Sequence, residues 1–190
     1  MLKHGPLRML AGICLATSLA TAAEVPRPSP DFAIKMAGGK QILLSQYKGQ
    51  ICIVAFILTY CSHCQKAVRV LSTMQKEFGP QGLQVVASAV EDMAATHVQD
   101  FIKNFQPPFP VGFNDQMAML DYLQHSPMMR LIMPQLVFID REGIIRAQYR
   151  GEDKFFGDDL DKNMREQIEA LLKEEPAPPK KPAPAHKKAG

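Results

Sequence analysis

Residues 51–64 decide the fold, and they read Ile-Cys-Ile-Val-Ala-Phe-Ile-Leu-Thr-Tyr-Cys-Ser-His-Cys. The first eight are apolar without interruption, which is typical of a central strand covered on both faces. From Ser62 the apolar residues recur at helical spacing instead, and Gly79-Pro80 ends that pattern. The residues on this helical face are Cys64, Val68, Leu71, Gln75 and Phe78. The stretch therefore predicts a buried strand that passes into a helix at Cys61.

Further strands and helices alternate on either side of this junction. The patterns predict strands at 41–44, 83–90, 135–140 and 144–149, and helices at 94–105, 116–123 and along the apolar stripe from Leu160 to Leu172. Residues 124–133 are expected to form a loop. The order starts with a parallel β-α-β unit and ends with an antiparallel hairpin and a helix. It predicts one α/β sandwich, a central mixed β-sheet flanked by helices, over residues 31–175.

Length and charge limit what such a chain does. Its 190 residues, 46% of them hydrophobic, suffice for one core of ordinary size. The formal net charge is +3, but two basic groups lie in residues 1–23 and four lie in residues 176–190. That leaves 16 Lys and Arg against 19 Asp and Glu in residues 24–175, a net charge near −3. The predicted domain therefore lacks the basic surface that nucleic acid requires, and we exclude that partner.

The two ends of the chain have the composition of a targeting segment and a tail. Residues 1–23 begin with Lys3, His4 and Arg8, continue apolar and finish in small residues, as a cleaved signal peptide does. An uncleaved N-terminal membrane anchor is the alternative. We expect residues 24–30 to form an extended leader and the Pro/Ala/Lys-rich residues 176–190 to be disordered. The predicted location is periplasmic or otherwise exported.

Cys61 and Cys64 carry the predicted chemistry. The N-terminus of a helix presents unpaired amide groups and a partial positive charge, which stabilise a thiolate relative to a thiol. A thiolate at Cys61 can attack a disulfide, and Cys64, one turn further on, can resolve the resulting mixed disulfide. A protonated His63 between them would stabilise the Cys61 thiolate further and make the Cys61–Cys64 disulfide more oxidising.

Other interpretations of a Cys-x-x-Cys pair fit less well. A zinc site needs two more ligands, and no second Cys pair or Cys/His cluster supplies them. A c-type haem site requires His where this chain has Gln65. Two inert buried cysteines remain a further alternative. We predict a redox pair, with no cofactor and no bound metal.

The surrounding residues resemble the TlpA-like group of thioredoxin-like proteins over roughly residues 30–172. The resemblance is carried by Leu44-Ser45-Gln46-Tyr47-Lys48-Gly49, by the strand-Cys-x-x-Cys-helix junction, and by residues 133–143, Met-Pro-Gln-Leu-Val-Phe-Ile-Asp-Arg-Glu-Gly. It implies a thioredoxin-like fold in which Pro134 is a cis-proline facing the redox pair. It also implies that the backbone of Met133 pairs with a substrate peptide and that Tyr60 lies beside the substrate.

The sequence departs from the group's pattern at four positions. Tyr60 replaces the usual tryptophan, Ser62 replaces the usual proline between the cysteines, and Met133 replaces a small or β-branched residue. The fourth departure is Ala55, near which cytosolic thioredoxins carry a buried acid. Another group must then handle protons, and Glu91 and Asp92 are candidates, with ordinary loop carboxylates as the alternative interpretation.

The remaining sulfur-bearing residues receive structural interpretations. We expect Cys52 to be a buried, inert residue of the central strand. Thioethers suit Cu(I), but the methionines are scattered along the chain, so we interpret them as packing residues. The methionines concerned are Met117, Met119, Met128, Met129 and Met133.

The predicted function is an exported, monomeric thiol–disulfide oxidoreductase that exchanges disulfides with exported proteins. The resemblance favours the reducing direction, with electrons from a membrane donor, whereas His63 favours oxidation. A peroxiredoxin-like peroxidase is an alternative, although Thr59 lies two residues before Cys61 and lacks the preceding proline of that motif. A copper carrier of the same fold is a second alternative.

Overall fold

The computed structural model describes residues 24–174, which form one sheet of eight strands with four α-helices around it. The strands are β1 (Arg27–Pro28), β2 (Ala33–Lys35), β3 (Gln41–Leu43), β4 (Ile51–Ile57), β5 (Leu83–Ala89), β6 (Val111–Phe113), β7 (Gln135–Ile139) and β8 (Ile144–Arg150). The helices are α1 (Ser62–Phe78), α2 (Ala94–Phe105), α3 (Gln116–Leu123) and α4 (Leu160–Lys173).

Strand β4 lies in the interior of the sheet. The strand order is β1-β8-β7-β4-β5-β6-β2-β3, and β4 runs parallel to β5 and antiparallel to β7. Every residue of β4 and of β7 is buried, as expected for strands that are apolar throughout except for Gln135 at the start of β7. The predicted central mixed sheet flanked by helices is confirmed, with the five sequence-predicted strands and four helices at or within a few residues of their expected places.

The β4-α1-β5 unit positions the end of β4 relative to the end of β5. Helix α1 packs against β5 and α4 with one buried face of Cys64, Ala67, Val68, Leu71, Met74 and Phe78. The Gln75 side chain ties this helix to the start of β5, where its Nε2 donates to the Leu83 carbonyl at 3.1 Å and its Oε1 accepts from the Val85 amide at 2.6 Å. The returning strand then pairs in register, Ile57 opposite Ala89.

The sequence patterns did not predict β1, β2 or β6. Each has two or three residues, too few to show an alternating period, and each is defined by its pairing with a distant strand. β1 lies within the expected leader 24–30 and pairs with β8. The buried Arg27 anchors it, because Arg27 Nη2 donates to the Tyr122 carbonyl at the end of α3 and to Gln148 Oε1, both at 3.1 Å.

The predicted signal peptide, residues 1–23, and the predicted tail, residues 176–190, lie outside the described residues. Among residues 24–174, none of the helices combines the length and the apolar character that crossing a bilayer demands.

Candidate functional site

Cys61 is the N-cap residue of α1, in an extended conformation with φ −81° and ψ 121°. β4 ends at Ile57, and a tight turn follows in which the Cys61 amide donates to the Leu58 carbonyl at 3.1 Å. The Cys61 carbonyl then accepts the first bond of the helix, from the Gln65 amide at 2.9 Å. Its thiol is partly exposed. Cys61 therefore occupies the predicted position, at the positive end of a 17-residue helix and within reach of solvent.

Cys64 lies beneath Cys61 and is completely buried. The Leu58 amide points at it, with an N···Sγ distance of 3.4 Å. Burial raises the pKa of the Cys64 thiol far above its usual range, and the neighbouring Cys61 and Glu91 raise it further, against the opposing effect of the Leu58 amide. Both cysteines are free thiols. The pair is asymmetric, with an accessible outer sulfur and a protonated inner one.

The Met133–Pro134 peptide bond is cis, as the family resemblance implied. Met133 is 8% exposed, and its loop is fastened to the far end of β8 by a bond from the Gly151 amide to the Ile132 carbonyl at 3.1 Å. Gly151 is required there, because a Cβ at this position would lie 2.6 Å from the Met133 carbonyl oxygen. In the sequence, the only signal of Gly151 is its place directly after a strand, which does not predict this role.

A groove brings several of the predicted site residues together beside the cysteine pair. It is lined by Leu58, Tyr60, Val90, Glu91, Asp92, Gln116, Leu131 and Met133. The groove is open to solvent where Tyr60 borders it, since this residue is 71% exposed. His63 is exposed on the first turn of α1 and does not line the groove. Tyr60 and Met133, predicted to lie beside a substrate, thus border the same depression in the surface.

The two acids proposed to handle protons lie in different environments. Asp92 is exposed, whereas the side chain of Glu91 is only 4% exposed. Glu91 Oε1 accepts bonds from both the amide and the hydroxyl of Thr59, the former at 3.2 Å, and His97 Nδ1 lies 3.9 Å from the same oxygen. Glu91 Oε2 is buried and has no hydrogen-bond partner among residues 24–174. Glu91 is thus a buried carboxylate with one oxygen free of hydrogen bonds, whereas Asp92 is an ordinary surface carboxylate.

The strand register explains why Glu91 meets the cysteine turn. Ile57 and Ala89 are opposite each other in the parallel β4–β5 pair, and the Val90 amide continues that pairing by donating to the Ile57 carbonyl at 3.0 Å. The residues that follow the two strands therefore emerge side by side. Two consecutive amides of the turn after β4 contact the two groups. The Leu58 amide donates to the Cys64 sulfur, and the Thr59 amide donates to the Glu91 carboxylate.

Cys52 agrees with its prediction as a buried residue of the central strand. It is 3% exposed at the start of β4, at the opposite end of that strand from Cys61. Burial raises the pKa of its thiol to about 12, so it is protonated at neutral pH.

The interpretation of the methionines as packing residues is correct for some and wrong for others. Met119 and Met133 are buried, but Met117, Met128 and Met129 are 56%, 93% and 44% exposed. Met117 is the second residue of α3, and Met128 and Met129 lie in the predicted loop 124–133. At these positions the backbone directs the side chains away from the core. Within residues 24–174, no three His, Cys, Asp or Glu side chains are grouped closely enough to hold a metal ion.

The chain is similar to known proteins of one family. The model of the AhpC/TSA family matches residues 25–148. The thiol-disulfide oxidoreductase ResA of Bacillus subtilis (strain 168) is 32% identical over 116 residues, which cover 60% of this chain and 61% of that protein. ResA of Bacillus thuringiensis subsp. konkukian is 23% identical over 150 residues, covering 79% of this chain and 78% of that protein.

A solved structure shows the same fold. The crystal structure of a thiol:disulfide interchange protein of the thioredoxin family from Chlorobium tepidum superposes with a TM-score of 0.60 and 22% identity, covering 80% of this chain and 99% of that one. The predicted thioredoxin-like fold is thereby confirmed.

Proposed function

This chain belongs to the AhpC/TSA family, and we propose that it is an exported thiol–disulfide oxidoreductase that reduces disulfides in other exported proteins. The observation that carries this proposal is the asymmetric cysteine pair, with Cys61 accessible at the N-terminus of α1 and Cys64 buried beneath it. An accessible thiolate paired with a protected thiol is what two-step disulfide exchange requires. The relatives' common description as thiol-disulfide oxidoreductases supports the same activity.

In the first step, the Cys61 thiolate attacks one sulfur of the substrate disulfide. A bond forms between Cys61 and that sulfur, the substrate S–S bond breaks, and the other substrate sulfur leaves as a thiolate that takes a proton from solvent. The helix N-terminus lowers the energy of the attacking thiolate, and a protonated His63 on the same turn would add to this effect.

In the second step, Cys64 attacks the Cys61 sulfur of the mixed disulfide. Its thiol must first lose a proton, and burial makes that loss unfavourable. We assign the proton to Glu91, which is held beside the cysteine turn by Thr59 and keeps one buried oxygen free of hydrogen bonds. The Cys61–Cys64 bond then forms and the second substrate thiolate leaves, so two electrons have passed to the substrate.

Substrate binding falls to Tyr60 and Met133, because both border the groove beside the pair, and to Pro134, whose cis peptide bond with Met133 shapes that loop. Glu91 thus joins Cys61, Cys64, His63 and Pro134, the residues predicted from the sequence, in the proposed catalytic set. The resulting disulfide must be reduced again for turnover, and a membrane-bound thiol reductant is the class of donor that an exported reductase needs. The reducing direction and the export of the chain rest on the family resemblance and on the composition of residues 1–23.

The reduction potential of the Cys61–Cys64 couple tests the proposal. The full-length protein would be equilibrated against glutathione buffers of graded potential, and the thiols would be trapped by alkylation and counted. A reversible two-electron couple below about −220 mV is expected for a reductase. A couple above about −180 mV would instead show that His63 dominates and that the protein donates disulfides. Absence of a reversible couple would contradict the redox function altogether.

A further inference from the structure

Most of the large exposed apolar side chains lie in the chain segments that border the groove. Among residues 24–174, seven such side chains are substantially exposed: Val25, Leu43, Tyr60, Met93, Met117, Met128 and Met129. Tyr60 lines the groove, and the four methionines each lie within three residues of a lining residue, namely Asp92, Gln116 or Leu131. We call Tyr60 and these four methionines the apolar rim.

Other methionines of this protein are buried, so the exposure of the rim methionines is specific to their positions. Met74, Met119 and Met164 are completely buried in the core. Apolar groups that cluster on a surface beside a depression mark sites where a partner covers them. Methionine is unbranched and polarisable, so a methionine surface adapts to apolar side chains of different shapes.

The charge of the groove restricts the partner further. Its lining contains the carboxylates of Glu91 and Asp92 and no Lys or Arg. In the part of the chain that the structure describes, neither carboxylate has a Lys or Arg within ion-pair distance, and His97 is the nearest basic group to Glu91. Of the other charged residues in the bordering segments, Asp115 faces Lys35 at 3.6 Å, and Arg130 is exposed in the loop that carries Met128. The groove is thus acidic at its base and apolar at its edge.

We propose that this groove binds an extended segment of the substrate polypeptide that carries apolar side chains and a lysine or arginine next to its reacting cysteine. The inference rests on the proposed function and specifies its substrate class. The apolar side chains pack on the rim, and the basic side chain faces Asp92 and Glu91. Small thiols such as glutathione are disfavoured, because they carry carboxylates of their own and offer no apolar surface to the rim.

Four short synthetic peptides test the substrate class. Each contains one cysteine in disulfide linkage to free cysteine, flanked either by Leu or by Ser and followed either by Lys or by Glu. The reduced full-length protein is mixed with each peptide, and with the cysteine–glutathione disulfide as the small reference. Reactions are quenched with acid and resolved chromatographically. We expect the Leu/Lys peptide to be reduced at least about tenfold faster than the Ser/Glu peptide, which corresponds to the burial of roughly one apolar side chain.

Matched variants locate the preference on the rim. The double substitution Met128→Ser and Met129→Ser should reduce the rate for Leu peptides about fivefold to tenfold and leave the rate for the cysteine–glutathione disulfide unchanged. Leu43→Ser removes an exposed apolar side chain of the edge strand β3, away from the groove, and is the control. It should change no rate. Asp92→Asn should abolish the preference for Lys over Glu without affecting the preference for Leu over Ser.

The outcomes separate the two proposals. If the protein reduces the cysteine–glutathione disulfide as fast as every peptide, the docking inference is wrong and the oxidoreductase function stands. If it reduces none of them, the proposed function itself fails. Sedimentation of the full-length protein tests whether a second copy of the chain binds the rim instead. If the wild type is a dimer and the Met128→Ser, Met129→Ser variant is a monomer, the rim is a dimer interface and the inference is overturned.

Discussion

A buried thiol lies near each end of strand β4, and the two have different surroundings. At the start of the strand, Cys52 is buried within the sheet, with its pKa raised to about 12. Just beyond the other end, Cys64 is equally buried and its pKa is also raised, but it lies beneath the accessible Cys61 and beside Glu91. Burial alone does not distinguish the two thiols. In the proposed function, the exposed sulfur of Cys61 at a helix N-terminus and the nearby carboxylate of Glu91 make Cys64 the reactive one.

Removing the exposed sulfur should have the largest effect. We expect Cys61→Ser to lower the rate of disulfide reduction at least about 1000-fold, since the nucleophile is lost. The matched change at the other end of the strand, Cys52→Ala, should leave the rate within about twofold. Stopped-flow kinetics with a protein or peptide disulfide measures both. Equal loss in the two variants would contradict the distinction between the two ends.

Removing the buried sulfur should stop the cycle halfway. In Cys64→Ala, Cys61 still attacks, but nothing resolves the mixed disulfide, so a covalent complex with substrate accumulates in place of a free product. Non-reducing electrophoresis and intact mass show this adduct. If Cys64→Ala turned over at the wild-type rate, Cys64 would be a structural residue like Cys52.

The buried carboxylate of Glu91 is present beside Cys64 and absent beside Cys52, so its removal tests this difference directly. We expect Glu91→Gln to slow the decay of the mixed disulfide about 100-fold at neutral pH, because the Cys64 thiol then lacks its proton acceptor. The defect should diminish as the pH rises and hydroxide takes over deprotonation. A pH profile of the resolving step, separated from the attack step by rapid quench, reports this directly.

Two variants control for a structural origin of that defect. Asp92→Asn changes the neighbouring exposed carboxylate and should alter the resolving rate less than twofold. Thr59→Val removes the hydroxyl that positions Glu91 and should cause a smaller loss, about threefold to tenfold, which Thr59→Ser restores. A Glu91→Gln defect that is the same at every pH would contradict proton transfer by Glu91.

The smallest expected effect is on stability and concerns Cys52, at the start of β4. Because the folded-state pKa of Cys52 is raised to about 12 from an ordinary value near 9, its contribution to stability is complete below the unfolded-state pKa and is lost as pH rises from 9 towards 12. Between pH 9 and pH 10.5, the wild type should therefore lose about 1.5 kcal/mol more unfolding free energy than Cys52→Ala. Urea denaturation at the two pH values measures the difference. Parallel losses would show that Cys52 is not held as a buried thiol.

Local patterns sufficed to predict most of the fold. The apolar run 51–58 and the helical period after Ser62 place Cys61 at the strand–helix junction, where the structure has it. Three of the four strands with only two or three residues escaped prediction, since such short segments carry little periodic signal. The fourth, β3, was predicted from an apolar run that continues to Leu44. The cis geometry at Pro134 followed from resemblance to a family and not from any pattern in the residues themselves.

The sequence by itself therefore determined which thiol is placed to react, because the N-terminus of a helix is a local feature that a few residues specify. Only the tertiary structure decided which acid accompanies it. Glu91 and Asp92 are adjacent carboxylates that no sequence pattern distinguishes, and the distinction arises where the parallel register of β4 and β5 brings Thr59 against Glu91. The exposed methionines are a second such case, since burial depends on which side chains of distant segments reach them.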